Sequence, residues 1–150
     1  MSDCSDILIS LAPTHTQAML SGRKTVELRR RRMYVTSGTR VWIYSKVPVG
    51  SVQATAVVEH VCHADPEALW AQFQQAVGIS RSAFNAYFAG CAQGCAVVLR
   101  EISPVQPAME LAHLRTEIAG FQPPQFFKRL GKDQRNVLIN RLGSRRTEQP

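Results

Sequence analysis

The chain has 150 residues, a length that suits one domain rather than two. With 45% hydrophobic residues it can bury a core, which argues against a disordered chain, and it has no run of the roughly 18–20 apolar residues that a membrane helix requires. The formal net charge is +7, and the basic residues that produce it are clustered.

The beginning of the chain bears on location and redox state. Met1–Asp6 is short and acidic, and no apolar core of a signal peptide follows it. We therefore expect a cytoplasmic protein that does not associate with membranes. In such a chain Cys4, Cys62, Cys91 and Cys95 are expected to be thiols rather than disulfides.

The first third of the chain predicts two strands around a helix. Ile7–Leu11 is a short apolar run typical of a buried strand. A helix is expected to begin with Pro13 in its first turn and to end before Gly22. Thr25–Arg29 alternates in polarity, which predicts a half-buried strand with one exposed face, formed by Thr25, Glu27 and Arg29.

Two more strands and a helical insertion follow. Arg40–Ser45 alternates so that Trp42 and Tyr44 lie on the face opposite two aliphatic side chains, and Val52–Val61 is rich in residues that favour strands. After them, Asp65 is expected to cap a helix that runs to a stop at Gly78 and includes Val77. A second helix is predicted from its cap at Ser80 to Gly90.

The last third predicts one clear strand and less regular segments. Cys95–Ile102 is the strand, and Pro104–Gly120 is expected to be a strand or loop with one helical turn. Gln125–Leu130 predicts a short helix. Val137–Leu142 predicts a last amphipathic turn, and Ser144–Pro150 a loose tail. About five strands with helices between them indicate an α+β domain, a small curled sheet or barrel with helices outside.

Thirteen of the eighteen Lys and Arg residues lie in two clusters. The first is Arg23, Lys24, Arg29, Arg30, Arg31 and Arg32. The second is Lys128, Arg129, Lys132, Arg135, Arg141, Arg145 and Arg146. Such localised charge favours a polyanionic partner, namely RNA, DNA or acidic lipid headgroups. The alternative is a solvated face that only keeps the protein soluble.

The segment Leu20–Arg30 carries the order Gly-x-Lys-Thr-x-Glu-x-Arg. This stretch resembles the opening signature of ASCH domains, where it links the first helix to the second strand. Val41–Ser45, Phe84–Gly90 and Pro123–Phe126 follow in an order that is similar to the bacterial ASCH/PUA-like predicted regulator group. The resemblance covers about residues 7–130 and is carried mainly by the first motif.

The resemblance implies an α+β fold, a PUA-like small curled β-barrel of about five to six strands with helices packed outside. It also implies a groove beside the first helix with a role in binding RNA or an RNA-derived nucleotide. We therefore expect an ASCH domain over residues 1–131 and a basic, partly flexible C-terminal extension over residues 132–150. The oligomeric state stays open.

The resemblance places Lys24 in the groove. On a strand, Lys24 and Glu27 face opposite sides unless a turn after Gly22 re-aims the lysine. A lysine beside a carboxylate can hold a phosphate or a base carbonyl and, when desolvated, can act as a base; the alternative is a surface salt bridge. We expect a solvated strand edge and a lysine that stays protonated, because Glu27 is its nearest charge.

Further nucleic-acid contacts are predicted around this pair. Arginine forks suit phosphate groups, and exposed aromatic rings suit unpaired bases, although core packing is the alternative for each ring. The arginine candidates are Arg29 and Arg31, and Ser45 and Lys46 are expected at the rim. The stacking candidates are Trp42 and Tyr44, with Tyr34 and Phe126 as further aromatic residues.

A second interpretation is a small hydrolase that uses Lys24 and Glu27. Some ASCH proteins are amidohydrolases that deacylate a modified nucleoside, and the resemblance maps their catalytic lysine onto Lys24. Their catalytic threonine falls on Glu27 and their catalytic glutamate near Val77. Other ASCH proteins are ribonucleases. A third interpretation is a regulator whose groove binds a small acidic effector.

Five side chains are of the types that bind zinc: His60, Cys62, His63, Cys91 and Cys95. They contain no Cys-x-x-Cys pair, so we expect no zinc and no other cofactor.

Overall fold

The computed structural model describes the backbone of residues 6–147 and the side chains of residues 6–142. This part of the chain forms six strands and five helices. In chain order they are β1 (Ile7–Leu11), α1 (Pro13–Leu20), β2 (Val26–Arg29), β3 (Arg40–Ser45), β4 (Ser51–Ala64), α2 (Pro66–Phe73), α3 (Arg81–Phe88), β5 (Gly94–Glu110), α4 (Leu111–Glu117), β6 (Phe127–Arg129) and α5 (Lys132–Thr147).

The strands form one curled half-barrel sheet in the order β2-β5-β4-β3-β1-β6. β1 runs parallel to β3, and the other neighbouring pairs are antiparallel. The pairing register shifts once between β3 and β4 and three times between β4 and β5. Such shifts bend strands, which lets the two longest strands follow a curled sheet. The predicted α+β architecture is confirmed.

Alternating side chains divide the core between the two faces of the sheet. Ile7 and Ile9 of β1 pack inside the curl, whereas Leu8 packs outside against α4 and α5. On the outer side of β2, Val26 and Leu28 pack against the apolar faces of α2 and α3. The period of two along each strand produces this division. It places α2 to α5 on the outside, as predicted, whereas Met19 of α1 packs with the inner residues.

The helical insertion begins as its caps predict and ends early. Asp65 accepts a hydrogen bond from the Ala68 amide at 3.0 Å, and Ser80 caps α3 in the same way. Helix α2 ends at Phe73, however, and does not reach Val77. The carbonyl of Ala76 instead accepts hydrogen bonds from two amides at the start of β2. The segment after α2 therefore lies against the beginning of β2.

The prediction that one face of β2 is exposed is wrong. Glu27 and Arg29 are each only 8% exposed. Their side chains line a small internal cavity of about 10 Å³ together with Ile9 and Val97. The curl of the sheet turns this face inward while α2 and α3 cover the other face, so both faces of β2 are enclosed.

The predicted helix at Gln125–Leu130 is also wrong. Phe127–Arg129 forms strand β6, antiparallel to β1. The backbone amides of Ser10 and Leu130 extend this pairing at its two ends, donating to the carbonyls of Phe126 and Asp6. The edge of β1 has free backbone groups, and hydrogen bonds to them stabilise a strand here more than the local sequence stabilises a helix. Tertiary pairing therefore decides the conformation of this segment.

The C-terminal residues form a longer helix than the sequence indicated. α5 continues to Thr147, through the first part of the predicted loose tail, and Leu138 of this helix is fully buried. Buried Asp6 accepts hydrogen bonds from Trp42 Nε1 at 2.8 Å and from Arg135 Nε at 3.0 Å, which joins α5 to the sheet. Residues 148–150 and Cys4 lie outside the described residues. The division at residue 131 and a flexible extension stay predictions.

Candidate functional site

A cleft of about 400 Å³ opens between the start of α1, the strand β2 and helix α3. This volume is within the range of small-ligand sites in proteins. The wall also includes the residues just before β6, and the ionisable side chains that line it are His15, Lys24, Glu27, Arg29, Lys46 and Tyr87. The predicted groove beside the first helix corresponds in position to this cleft.

Lys24, Glu27 and Arg29 meet at the floor of the cleft. Lys24 Nζ lies 3.6 Å from Glu27 Oε1, and Arg29 Nη2 lies 3.0 Å from Glu27 Oε2. The backbone reaches this arrangement through Gly22, whose φ of +84° ends the turn after α1 before the strand begins at Val26. The turn therefore re-aims Lys24 toward Glu27.

Two further features of the floor concern hydrogen bonding. Lys24 Nζ donates to the backbone carbonyl of Val77 at 2.8 Å, across 53 residues of sequence. Arg29 is held by charge rather than by well-aligned hydrogen bonds. Its Nη2 is close to Glu27, yet the buried Nε and Nη2 have no hydrogen-bond acceptor of suitable geometry among the described residues. The guanidinium therefore keeps unused donors.

The environment of Lys24 differs from the solvated strand edge that we expected. The residue is 1% exposed. Burial lowers the pKa of its ammonium group below the ordinary value; the adjacent Glu27 carboxylate opposes this shift, and Arg29 adds to it. The expectation of a solvated lysine was wrong, because the residues after α2 cover its side chain. The amine therefore releases its proton more readily than that of an ordinary lysine.

Two cleft residues were not identified from the sequence. His15, in the first turn of α1, has its pKa lowered by burial and by the positive charges of Lys24 and Arg29, against the opposing effect of Glu27. Tyr87 of α3 donates its hydroxyl to the Leu28 carbonyl at 3.2 Å, and burial raises the pKa of this hydroxyl. His15 could have been predicted as a cleft residue, because it lies in the first helix beside the predicted groove. For Tyr87 the sequence shows only helical spacing, which does not indicate a place in the cleft.

The other predicted binding residues separate into three groups. Lys46 and the 59% exposed Phe126 both line the cleft. Arg31 is exposed but does not line it. Ser45 is buried and donates to Thr16 Oγ1 at 2.7 Å, a contact that joins β3 to α1. Binding roles for these residues stay predictions.

Trp42 and Tyr44 are buried in the core outside the curl, against α4 and α5. The prediction that they offer exposed stacking faces is therefore wrong. The face opposite the two aliphatic side chains of β3 is covered by helices that come later in the chain, which the local alternation of β3 cannot reveal.

The described residues contain neither a cluster of metal-ligating side chains nor a membrane-spanning helix. Among the side chains of residues 6–142, no three His, Cys, Asp or Glu groups come together as a metal-ion site requires. None of the helices within residues 6–147 combines the length and the apolar character needed to cross a bilayer.

Metal analysis of the purified protein is expected to find no stoichiometric zinc, and a chelator should leave the melting temperature unchanged, because stability that depends on a structural metal is lost on its removal. A content of about one zinc per chain would contradict this prediction.

Comparison with known proteins identifies the family. No family model matches the chain. A Zymomonas mobilis protein named ASCH domain-containing ribonuclease is 35% identical over 138 residues, covering 92% of this chain and 93% of that protein. The crystal structure of ASCH from Zymomonas mobilis has a TM-score of 0.86 at 34% identity and covers 92% of this chain and 96% of its own.

A more distant structure shares the fold alone. A hypothetical protein from Leishmania major has a TM-score of 0.60 at 12% identity, covering 96% of this chain and 98% of its own. The close relative matches nearly the whole chain at an identity where common descent is secure, and the resemblance carried by Gly22–Arg29 is confirmed. The chain belongs to the ASCH domain family.

Proposed function

We propose that the protein binds single-stranded RNA in the cleft and cleaves it there. The observation that carries this proposal is the buried group of Lys24, Glu27 and Arg29 at the floor of an open cleft. Two cations share one carboxylate, so the floor has an excess of positive charge. The Zymomonas mobilis relative, which is named a ribonuclease, supports the same function.

The walls of the cleft suit a nucleotide chain. Lys46, just after β3, adds an exposed positive charge at the rim. Phe126, just before β6, adds an exposed ring, and β1 lies between these two strands in the sheet. A basic groove with an aromatic face is the usual means of holding single-stranded nucleic acid, because cations follow the phosphates and rings stack on unpaired bases. Arg29 contributes positive charge at the floor, which attracts an anionic group held in the cleft.

The floor also contains groups suited to RNA cleavage. Attack of a 2′-hydroxyl on the adjacent phosphorus forms a bond from the 2′-oxygen to phosphorus and breaks the bond from phosphorus to the 5′-oxygen. A proton must leave the 2′-oxygen, a proton must reach the departing 5′-oxygen, and the negative charge that develops on the phosphoryl oxygens must be stabilised. Lys24 has a lowered pKa, so it gives up its proton more readily than an ordinary lysine; its neutral amine is suited to take the proton of the 2′-hydroxyl and to return it to the leaving 5′-oxygen. Arg29 keeps its charge throughout and is the electrostatic stabiliser. Glu27 holds both cations in place through its two oxygens.

Hydrolysis of an acylated nucleoside is the second candidate. The structure brings Lys24 next to Glu27 and next to the backbone of Val77, the positions onto which the resemblance maps the catalytic residues of ASCH amidohydrolases. Val77, however, is a fully buried apolar side chain and contributes only its carbonyl. Release of the acyl group from N4-acylated cytidine tests this candidate, and robust release without RNA cleavage would favour it.

Salt dependence tests RNA binding. If the cleft holds about three or four phosphates, log K should fall with log salt at a slope of about −2 to −3. Lys46→Ala should reduce the magnitude of the slope by about 0.7, because one phosphate contact is lost. Arg100→Ala is the matched control, since Arg100 is a cation outside the cleft. A salt-independent affinity, or no affinity at low salt, would contradict RNA binding.

A further inference from the structure

The segment Ala76–Gly78, between α2 and α3, is in close contact with Lys24. The Ala76 carbonyl accepts the amides of Thr25 and Val26 at 2.9 and 3.1 Å, so the two backbones are joined beside the lysine. The Val77 carbonyl then accepts from Lys24 Nζ at 2.8 Å. One short segment thus contacts the lysine at its backbone and at its amine.

Gly78 brings the same segment against the aliphatic part of the lysine. A Cβ atom at Gly78 would lie 2.9 Å from Lys24 Cβ, 3.3 Å from Cγ and 3.4 Å from Cδ. The first distance is shorter than real Cβ contacts allow, so any larger residue would displace the lysine stem or the segment. Gly78 also has a φ of +67°. Both its conformation and its missing side chain are needed for this approach.

We propose that Ala76–Gly78 is a positioning element for Lys24, which holds the stem by close packing and the amine by a carbonyl, and so keeps the amine desolvated at the floor of the cleft. The consequence for RNA cleavage rests on the proposed function, in which Lys24 transfers a proton. The placement of the amine itself does not depend on that function.

The segment acts through burial rather than through charge. Its three residues are Ala, Val and Gly and have no ionisable side chain. The charged and titratable groups that face Lys24 come from other elements: Glu27 and Arg29 from β2 and His15 from α1, with Lys46 and Tyr87 farther along the same cleft. Burial is the largest influence on the pKa of Lys24 and acts to lower it, as expected when a neutral wall covers an amine.

The experiment measures the pH dependence of acetylation of Lys24 by acetic anhydride, followed by mass spectrometry of the Lys24 peptide. In the wild type, the midpoint for Lys24 should lie below that of an ordinary lysine. Gly78→Ala should raise the Lys24 midpoint by on the order of 1 pH unit, because the displaced amine regains solvent. An unchanged midpoint would overturn the proposal.

Gly90→Ala is the matched control. Gly90 also has a positive φ, +82°, and follows a helix, but an added Cβ there meets nothing within 4 Å. The two substitutions therefore impose similar backbone strain, and only Gly78→Ala intrudes on Lys24. Gly90→Ala should leave the Lys24 midpoint at its wild-type value. A midpoint that shifts equally in both variants would overturn the proposal, because general loosening of the fold would explain it.

Val77→Ala keeps the test decisive if Gly78→Ala does not fold. Val77 is fully buried among the apolar residues of α2 and α3 and anchors the segment. Its truncation should shift the Lys24 midpoint upward by a smaller amount, and no shift would overturn the proposal. These measurements need no RNA. If the Lys24 midpoint shifts as expected in the variants but the protein does not cleave RNA, only the proposed function is contradicted. If the protein cleaves RNA but the midpoint does not shift, only the positioning role is contradicted.

Discussion

Lys24→Met is expected to reduce RNA cleavage on the order of 100-fold or more, the usual loss when an acid–base group is removed. Methionine keeps an unbranched apolar stem that can pack against Gly78, and it removes only the amine. Glu27 stays paired with Arg29 in this variant. Binding should therefore weaken much less than cleavage, which single-turnover cleavage and filter binding of the same RNA can measure separately.

Lys24→Arg separates proton transfer from charge. An arginine keeps the positive charge but does not release a proton under these conditions. We therefore expect it to bind RNA better than Lys24→Met does, and to cleave as poorly. Retention of cleavage by Lys24→Arg would show that Lys24 acts only as a fixed charge and would contradict an acid–base role.

Lys46→Met is the matched control for both lysine variants. It removes a lysine of the same cleft that is exposed at the rim. The dissociation constant should rise a few-fold, because one phosphate contact is lost. The cleavage rate of bound RNA should stay at the wild-type value, since the rim residue transfers no proton.

Glu27→Gln is expected to lower the free energy of unfolding by about 3 kcal/mol, because it leaves two buried cations without their carboxylate. Urea unfolding measures this loss. Glu67→Gln is the matched control. It breaks the ion pair between Glu67 and Arg81 on the surface, where the Glu67 side chain is 77% exposed, and should cost less than about 1 kcal/mol. Equal losses in the two variants would contradict a buried charge group at the floor.

The stability loss in Glu27→Gln should also depend on pH. The carboxylate of Glu27 raises the pKa of Lys24, so its removal lowers that pKa further. Between the lowered pKa in the folded chain and the ordinary lysine pKa in the unfolded chain, the unfolded chain binds more protons, and stability rises with pH. Because this pH range reaches lower in the variant than in the wild type, the stability lost in the variant should shrink as the pH rises toward the ordinary lysine pKa. A loss that grows with pH would contradict this assignment.

Local patterns predicted several elements of the fold, because their causes lie within a few residues. Asp65 and Ser80 cap α2 and α3 through bonds to amides three residues ahead. The alternation in Arg40–Ser45 predicted a strand, and a strand is found there. The helix predicted for residues 125–130 was wrong because their pairing partner, β1, is more than a hundred residues away and lies outside any local pattern.

The sequence by itself determined the identities of the cleft's charged residues and the turn at Gly22 that brings Lys24 toward Glu27. Only the tertiary structure decided which face of each strand is enclosed. Alternation defines two faces but does not say which one a distant helix or the curl of the sheet will cover. The curl turned Glu27 and Arg29 inward, and Val77, 53 residues beyond Lys24, supplied the carbonyl that holds its amine in a buried site.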